Sequence, residues 1–521
     1  MILALLTSRF FLIFLFPFIL GTLTVFSFQP YNLNYINFFI IPILFLLTTY
    51  VQKKSKNTYR RKPYILNLFL IGYLFGIGFF LTGTFWISNA LTFDENFKFL
   101  IPVSMLGLPL FLGIFFGVGN VLVGPFLKNN FSSILLFSSS LAFADYLRAK
   151  IFSGFPWNIW AYTWSWKPEM LQSLFYVGFF SFNLFCIIIY CSPLLLIFKK
   201  KNYILLFFLI LTFFGNYIYG AYIIKKNNEN VVKLKTDLDN SIYTKIISPN
   251  FELKYNLSST ELRENLKDLI RYSEPVRNKK TLFIWPEGVF AGSNFKQIKE
   301  YKKLFERTFS ENHLILFGAN TVDEETNDNA IFNSLIVVNN KLDIVFKYNK
   351  IKLVPFGEFL PFESFLVKLG LKKITEGYGS FSRGYNNDIL TLDNSKILPL
   401  ICYEIIFPEL SQTQKNLIIN ISEDAWFGDT IGPDQHFAKA IFRAIESNVY
   451  LARSANKGFS AFVDNKGIIK KVLKPNEKGA IELNIPIINN AQKKYKIDLI
   501  FFVLLFTCVL TFVVLKKNEE K

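Results

Sequence analysis

Long apolar runs bounded by polar or charged residues dominate the chain before residue 225 and recur near its end. A helix needs about 20 apolar residues to cross the hydrocarbon core of a bilayer. By that criterion the sequence predicts eight membrane spans, at 10–28, 34–51, 64–91, 99–127, 131–148, 169–198, 203–224 and 498–515. We interpret the first as a retained anchor rather than a cleaved signal peptide, because it leads straight into another span without a small-residue cleavage site.

Between the seventh and eighth predicted spans the pattern changes. In residues 225–497, short β-branched runs alternate with amphipathic segments, which predicts an α/β layered domain. The clearest predicted strands are 281–285, 314–318, 334–338, 398–402, 417–421 and 450–453. Ser258 and Glu261 form a capping box that starts one helix. A second helix is expected after Pro433.

That second predicted helix has an apolar stripe at helical spacing. Residues of the stripe belong to a packed core, and the charged side chains lie on other faces of the helix. The charged residues are Lys439, Arg443 and Glu446.

Composition and charge support a membrane protein. Of the 521 residues 51% are hydrophobic, and the formal charge is +18. Basic residues cluster beside apolar runs, at 53–62, 199–201 and 516–521. That pattern is typical of topology signals flanking membrane helices, and it argues against a nucleic-acid partner.

The same basic clusters predict an orientation. If the loop 53–62 is cytoplasmic, alternation places every other basic loop on that side too. We therefore expect a transmembrane bundle of seven spans at 1–224 and an extracytoplasmic domain at 225–497. A C-terminal transmembrane helix with a short cytoplasmic tail follows at 498–521.

Cys402 is the one cysteine of the predicted soluble domain, because Cys186, Cys191 and Cys508 fall inside predicted spans. It ends a predicted strand and is followed by Tyr403, in a position where reactive groups of α/β domains converge on a pocket. A small buried hydrophobe is the ordinary alternative for such a cysteine.

Other residues must supply a base if Cys402 is a nucleophile. The two histidines of the chain stand in no motif for triad chemistry and are too few for a His-rich metal cluster. Glu287 follows an apolar strand, where desolvation raises a carboxyl pKa toward that of a general base, although a solvated loop glutamate is equally compatible. Lys350 can stabilise an oxyanion and Glu358 can pair with it, or both can be ordinary surface and turn residues.

These three segments, in this order, resemble the Glu-Lys-Cys motifs of the nitrilase superfamily, and the predicted spans narrow the resemblance to the apolipoprotein N-acyltransferases. It extends over nearly the whole chain. The matching segments are 154–157, 285–287, 350–358, 402–404, 424–428, 432–433, 435–436, 443–446 and 453–458.

The resemblance implies a multi-pass membrane bundle plus an αββα sandwich, in the inner membrane of a bacterial cell with the catalytic domain on the periplasmic side. It implies Glu287 as general base, Lys350 as oxyanion stabiliser and Cys402 as nucleophile. Glu358 would be a supporting carboxylate. Pocket residues would be Tyr403, Glu404 and Trp426. No cofactor or metal is expected.

The family's reaction moves an acyl chain from a membrane phospholipid, through a cysteine thioester, to the α-amino group of a diacylglyceryl-cysteine apolipoprotein. A stretch at 359–385 is then either a lipid-facing lid or an ordinary packed helix. Two positions depart from the family pattern. One lies at residues 248–250 and 254–255, where the family usually has a Gln-rich strand end followed by Lys-Trp. The other is Glu423, at a position where Asn is commoner.

Two other functions fit parts of the pattern. A membrane-tethered amidase would use water in place of the lipid amine, but soluble amidases of the superfamily lack the spans. An inactive scaffold or transporter would not need Glu287, Lys350 and Cys402. The predicted spans also lack an obvious row of charges marking an ion path.

Overall fold

The computed structural model describes residues 8–58, 63–198, 202–234, 241–254, 257–290, 292–322, 330–363, 368, 380–386, 388–393, 395–488 and 497–520. The basic cluster at 199–201, Tyr255 and most of the stretch 359–385 lie outside these residues. The chain divides into two compact units. One comprises Met1–Ile223 with Lys493–Lys521, and the other comprises Ile224–Gln492.

The first unit is helical. Its longer helices are Phe16–Leu23, Asn37–Thr58, Pro63–Thr84, Ile101–Val123, Phe131–Lys150, Phe179–Cys191, Ile497–Glu520 and the start of Tyr203–Leu234. Short helices lie at Pro168–Leu171, Leu174–Val177 and Leu194–Ile197. Among the described residues, six stretches are long and apolar enough to cross a membrane. They are Asn34–Lys54, Tyr64–Thr92, Phe97–Phe126, Phe179–Ile197, Tyr203–Glu229 and Ile497–Lys517.

Two of the eight predicted spans fall short of that criterion. The first corresponds to a shorter apolar helix, Phe11–Ser27. The fifth corresponds to Phe131–Lys150, a 20-residue helix that carries several serines together with Asp145 and Arg148. The sequence therefore predicts two spans more than this criterion selects among the described residues, because Phe11–Ser27 is short and Phe131–Lys150 contains polar residues.

Asp145 and Arg148 form a buried ion pair of 2.8 Å inside this unit. Arg148 also donates to the carbonyl oxygens of Phe155 at 2.6 Å and Trp157 at 2.7 Å. Asn183 donates to the second oxygen of Asp145 at 2.9 Å. A non-helical segment in an apolar environment needs partners for its backbone groups, and this network supplies them to residues 155–157.

Within its described residues, the second unit contains two six-stranded sheets. The strands are β1 Ser241–Ser248, β2 Thr281–Ile284, β3 His313–Val322, β4 Ile331–Val338, β5 Ile344–Asn349, β6 Leu390–Leu392, β7 Ser395–Ile401, β8 Leu417–Glu423, β9 Tyr450–Asn456, β10 Ser460–Val463, β11 Ile469–Leu473 and β12 Gly479–Pro486. Their orders are β12-β1-β2-β3-β4-β5 and β11-β10-β9-β8-β7-β6. The centre of each sheet is parallel, through β1-β2-β3 and β7-β8-β9. All six predicted strands correspond to these elements, although the predictions 281–285 and 398–402 each extend one residue past β2 and β7.

The two sheets pack face to face. One core cluster combines side chains of the first sheet, such as Ile284 and Leu316, with side chains of the second, such as Ile401 and Ile421. A second cluster joins the outer face of the first sheet to helices that include Ser259–Ser273. Further helices lie at Phe295–Lys299, Lys302–Thr308 and Gly432–Ser447. The last contacts β9, so the layers follow the αββα order that the resemblance implied.

The two predicted helices differ in how completely they are buried. The helix Ser259–Ser273 begins with the predicted capping box of Ser258 and Glu261 and buries one apolar face. In contrast, the helix Gly432–Ser447 also buries Lys439, Arg443 and Glu446, which the sequence placed outside the core. Arg443 pairs with Glu446 at 3.0 Å, and Lys439 donates to the Gln435 carbonyl at 2.8 Å. The charges of Arg443 and Glu446 compensate each other, and the carbonyl accepts a hydrogen bond from Lys439, so a helix that is covered all round can carry these residues.

Candidate active site

The ends of four strands meet at one edge of the sandwich. Glu287 lies three residues beyond β2, and Lys350 follows the last residue of β5. Cys402 follows β7 in the same way, and Glu423 ends β8. Because β2, β7 and β8 lie in the parallel parts of their sheets, their carboxyl ends bring loop residues together.

Lys350 and Glu287 lie together with Glu358 and Asn333 in a buried polar cluster. The Lys350 Nζ is 2.7 Å from Glu358 Oε1 and 3.7 Å from Glu287 Oε1. Asn333 Nδ2 donates to the same two oxygens, each at 2.8 Å. The second oxygen of Glu287 accepts from the backbone N–H of Glu423 at 3.1 Å. The structure therefore brings together Glu287, Lys350 and Glu358, which the sequence singled out separately.

Burial and charge act in opposite directions on this cluster. Burial raises the pKa of Glu287, the nearby Lys350 lowers it, and the net shift is upward. For Lys350 burial alone would lower the pKa, but the carboxylates of Glu358 and Glu287 outweigh it and raise the pKa of the ammonium. A carboxylate of raised basicity therefore lies beside a permanently charged ammonium.

Cys402 begins a short 3-10 turn, Cys402–Ile406, rather than ending the strand as the sequence predicted. Its φ is +47°, in the left-handed region that costs energy for a residue with a Cβ. The side chain is partly exposed. The residue still packs against the core between the two sheets, and the alternation of a strand does not predict the left-handed turn at its end.

The surroundings of Cys402 favour the protonated thiol over the thiolate. Burial is the main cause, and the carboxylate of Glu287 adds to it, so the pKa of the Cys402 thiol is raised. Lys350 acts in the opposite direction. Formation of a thiolate thus requires transfer of the proton to a nearby base.

Glu404 is fully buried and joins the turn of Cys402 to the end of β5. Its Oε1 accepts from the Tyr348 hydroxyl at 2.9 Å and from the backbone N–H groups of Ile351 at 2.7 Å and Lys352 at 3.1 Å. Its Oε2 accepts from the Ile401 N–H at 2.8 Å. Both oxygens accept hydrogen bonds, so the side chain connects Ile401, just before Cys402, to Ile351 and Lys352, just after Lys350.

Two further residues implied by the resemblance are partly exposed beside this site. Tyr403 packs edge-on against Phe407, with ring centroids 5.0 Å apart. Trp426 lies in the short turn Asp424–Phe427 that follows β8. Their exposure is compatible with a place at the rim of a pocket.

Three residues near the site were not assigned a role from the sequence. Asn333 is a polar residue within the apolar strand β4, which was an available signal of a functional position. Glu423 was noticed only as a departure from a family pattern. His436 was noticed only as part of a motif, and its ring nitrogen lies 3.3 Å from the Cys402 carbonyl oxygen.

Solved structures that resemble part of the chain include an amidase from Nesterenkonia sp., 13% identical, covering 50% of this chain and 95% of its own with a TM-score of 0.35. Another is the glutamine-dependent NAD+ synthetase from Acinetobacter baumannii, 15% identical, covering 48% of each chain with a TM-score of 0.36.

Sequence comparison is more informative. Residues 253–494 match the carbon-nitrogen hydrolase family, and residues 20–192 match the apolipoprotein N-acyltransferase N-terminal domain. The apolipoprotein N-acyltransferase of Brucella melitensis is 31% identical over 486 residues, covering 90% of this chain and 89% of the relative. That of Rhizobium rhizogenes is 31% identical over 427 residues, covering 80% of this chain and 79% of the relative. The chain belongs to the apolipoprotein N-acyltransferase family.

Proposed function

We propose that this chain transfers an acyl group from a membrane phospholipid to the α-amino group of diacylglyceryl-cysteine apolipoproteins, through a thioester on Cys402. Family membership supports the reaction class. The observation that carries the mechanism is the strained turn of Cys402 beside the buried pair of Glu287 and Lys350. A nucleophile, a base and a cation within one small site are the groups that acyl transfer requires.

In the first half-reaction the carboxylate of Glu287 takes the proton from the Cys402 thiol. The thiolate attacks the ester carbonyl carbon of the phospholipid, and the Lys350 ammonium stabilises the oxyanion that forms. Collapse of this intermediate breaks the ester C–O bond. Glu287 returns its proton to the leaving alkoxide, which departs as a lysophospholipid and leaves the acyl thioester.

The second half-reaction uses the same residues to move the acyl group from Cys402 to the lipoprotein amine. The lipoprotein amine attacks the thioester carbonyl, and Glu287 takes a proton from the nitrogen. Breaking the C–S bond releases the amide product and the thiolate, which regains the proton from Glu287. Both substrates use one nucleophile in turn, so the kinetics are ping-pong.

Membrane substrates explain why helices accompany a hydrolase-like domain. Moving an acyl chain into water costs about 0.8 kcal/mol for each CH₂ group, so lateral supply within the bilayer avoids a large barrier. We infer a multi-pass protein of a bacterial inner membrane, with the domain at 225–497 on the periplasmic side. Exposed aromatic residues fit contact with lipid: Phe356 lies just before the stretch 359–385, and Phe362 and Tyr385 lie within it.

Mass spectrometry tests the proposal directly. Purified wild-type protein and the Cys402→Ser variant are incubated with phospholipid vesicles, and peptides containing residue 402 are analysed for an acyl adduct. We expect an adduct on the wild type that hydroxylamine removes, because hydroxylamine cleaves thioesters readily. Adding a diacylglyceryl-cysteine peptide should then discharge the enzyme and yield an N-acylated peptide.

Two results would contradict the proposal. If wild-type protein binds phospholipid and stays unmodified, the acyl-enzyme step fails and an inactive scaffold explains the chain better. If the thioester forms but is discharged by water alone when the amine is present, the chain is a hydrolase of the same superfamily.

A further inference from the structure

His436 lies behind the nucleophile, in the helix Gly432–Ser447, and the proton transfers above do not use it. Its buried ring connects two parts of the site. Nε2 is 3.3 Å from the carbonyl oxygen of Cys402. Nδ1 is 3.0 Å from the Nη2 of Arg453 and 3.1 Å from the Oδ1 of Asp424.

Hydrogen-bond chemistry constrains the form of this ring. A carbonyl oxygen only accepts, so Nε2 must carry a hydrogen to bond to Cys402. At Nδ1 the neutral ring accepts from the Arg453 guanidinium, which only donates, whereas a charged ring would donate to the Asp424 carboxylate, which only accepts. Burial, followed by the positive charge of Arg453, lowers the pKa of His436 to about 4, which agrees with a neutral ring. In either form of the ring, Nε2 carries the hydrogen that it donates to the nucleophile's carbonyl.

The groups behind the ring form a compact buried pair. Arg453 Nη2 donates to both oxygens of Asp424, at 2.7 and 3.0 Å. The Ser422 hydroxyl donates to Asp424 at 2.7 Å. Gly458 leaves room for this carboxylate, since a Cβ there would come within 2.0 Å of Asp424 Oδ2. These contacts hold the acceptor end of the imidazole in one place.

The contact to the nucleophile has a structural consequence. A left-handed conformation at a non-glycine residue is strained and persists only where the surroundings hold it. Glu404 accepts from the N–H of Ile401 on one side of Cys402, and His436 bonds the carbonyl on the other. Because a trans peptide is planar, fixing that carbonyl also fixes the direction of the Tyr403 N–H.

We propose that His436 is a positioning residue, whose Nε2–H holds the Cys402–Tyr403 peptide in the orientation that acyl transfer requires. Asp424 and Arg453 fix the ring that makes this bond. The inference rests on the proposed function, because it concerns the same nucleophile. It differs from a Cys-His triad, in which the imidazole would contact the sulfur and move its proton.

Three substitutions separate a hydrogen-bond role from simple packing. His436→Gln places an amide donor near the position of Nε2. His436→Asn keeps an amide that is too short to reach the carbonyl, and His436→Met fills the space without a donor. Each full-length variant is purified in detergent. Acylation of Cys402 is measured in a single turnover over a range of phospholipid concentrations, and alkylation of Cys402 by iodoacetamide is measured in parallel.

We expect His436→Met and His436→Asn to lower the maximal acylation rate about a hundredfold, as misplaced reacting groups do, with little change in the phospholipid concentration for half-maximal rate. His436→Gln should recover most of the rate. The pH profile of His436→Gln should keep the shape of the wild type, because a neutral histidine contributes no proton.

The proposal is overturned if His436→Gln is no faster than His436→Asn, or if all three variants match the wild type. If His436→Met fails to fold, the comparison of His436→Gln with His436→Asn is sufficient to test the proposal. If the wild type forms no thioester, the proposed function fails separately. Alkylation then still tests whether His436 positions Cys402. Cys402 should react at the wild-type rate in His436→Gln and not in His436→Asn, and equal rates in the two variants would overturn the inference.

Discussion

Replacing Glu404 with Gln should loosen the connection between the end of β5 and the turn that carries the nucleophile. The carboxylate accepts from Tyr348, Ile351 and Lys352 through one oxygen and from Ile401 through the other. A glutamine can keep its carbonyl oxygen on the first three donors. Its NH₂ group then faces the N–H of Ile401, so two donors oppose each other.

The size of the effect follows from these contacts. Leaving a buried N–H without an acceptor costs about 1–3 kcal/mol, and the three remaining bonds lose a charged acceptor. Burial raises the pKa of Glu404, so removing the buried charge offsets part of this cost. We expect a net loss of about 2 kcal/mol in the free energy of unfolding. For a domain of this size that loss lowers the melting temperature by roughly 4–8 °C.

Thermal unfolding by circular dichroism and single-turnover acylation measure the two consequences. Tyr348→Phe is the matched control, because it removes one donor and leaves the backbone contacts of Glu404 in place. It should cost about 1 kcal/mol. Wild-type stability and wild-type acylation in Glu404→Gln would refute the argument that this carboxylate holds the site together.

Two further predictions concern charge. Asp424→Asn leaves Arg453 buried without its carboxylate and should cost about 3–5 kcal/mol near neutral pH. Burial would raise the pKa of Asp424, but Arg453 outweighs it and lowers the pKa, so the wild-type advantage is present above the ordinary aspartate pKa near 3.9 and shrinks as pH falls below it. Denaturation curves at several pH values measure the difference in the free energy of unfolding between wild type and variant. A difference that does not change with pH would contradict the lowered pKa of Asp424. Burial raises the pKa of Glu287, so acylation should decline with falling pH before the ordinary glutamate pKa near 4.3 is reached. A pH-rate profile that stays flat down to that value would exclude Glu287 as the base.

Much of the second unit could be predicted because the residues of each strand or helix specify that element without contacts from distant parts of the chain. Strand β8 is buried at all seven positions, and four of its first five residues are apolar, which is typical of a central parallel strand. The capping box at Ser258 and Glu261 marks a helix start by chemistry within one turn. Glu287, Lys350 and Cys402 follow strands, so their position at one edge could be expected from the order of elements.

Features that depend on distant partners could not be predicted. Asn333 contacts Glu287 across 46 residues of sequence, and nothing near either residue specifies that pairing. The buried charges of the helix Gly432–Ser447 look like surface residues until their partners are known. The left-handed conformation of Cys402 has no local signal either, because strain of this kind is maintained by contacts from other elements.

Glu423 illustrates how a departure from a family pattern can be reconciled with the site. Its oxygens accept from the Ala425 N–H at 3.0 Å and from Asn456 Nδ2 at 2.9 Å, and its own N–H donates to Glu287. Burial raises the pKa of Glu423 well above the ordinary range, which favours the neutral acid. A neutral carboxylic acid offers one carbonyl oxygen and one donor, as an amide does. The difference from asparagine is then mainly one of length. Gly288 accommodates the longer side chain, because a Cβ there would lie 2.4 Å from Glu423 Oε2. Burial of Glu423 therefore favours the form that adds no further negative charge beside Glu287.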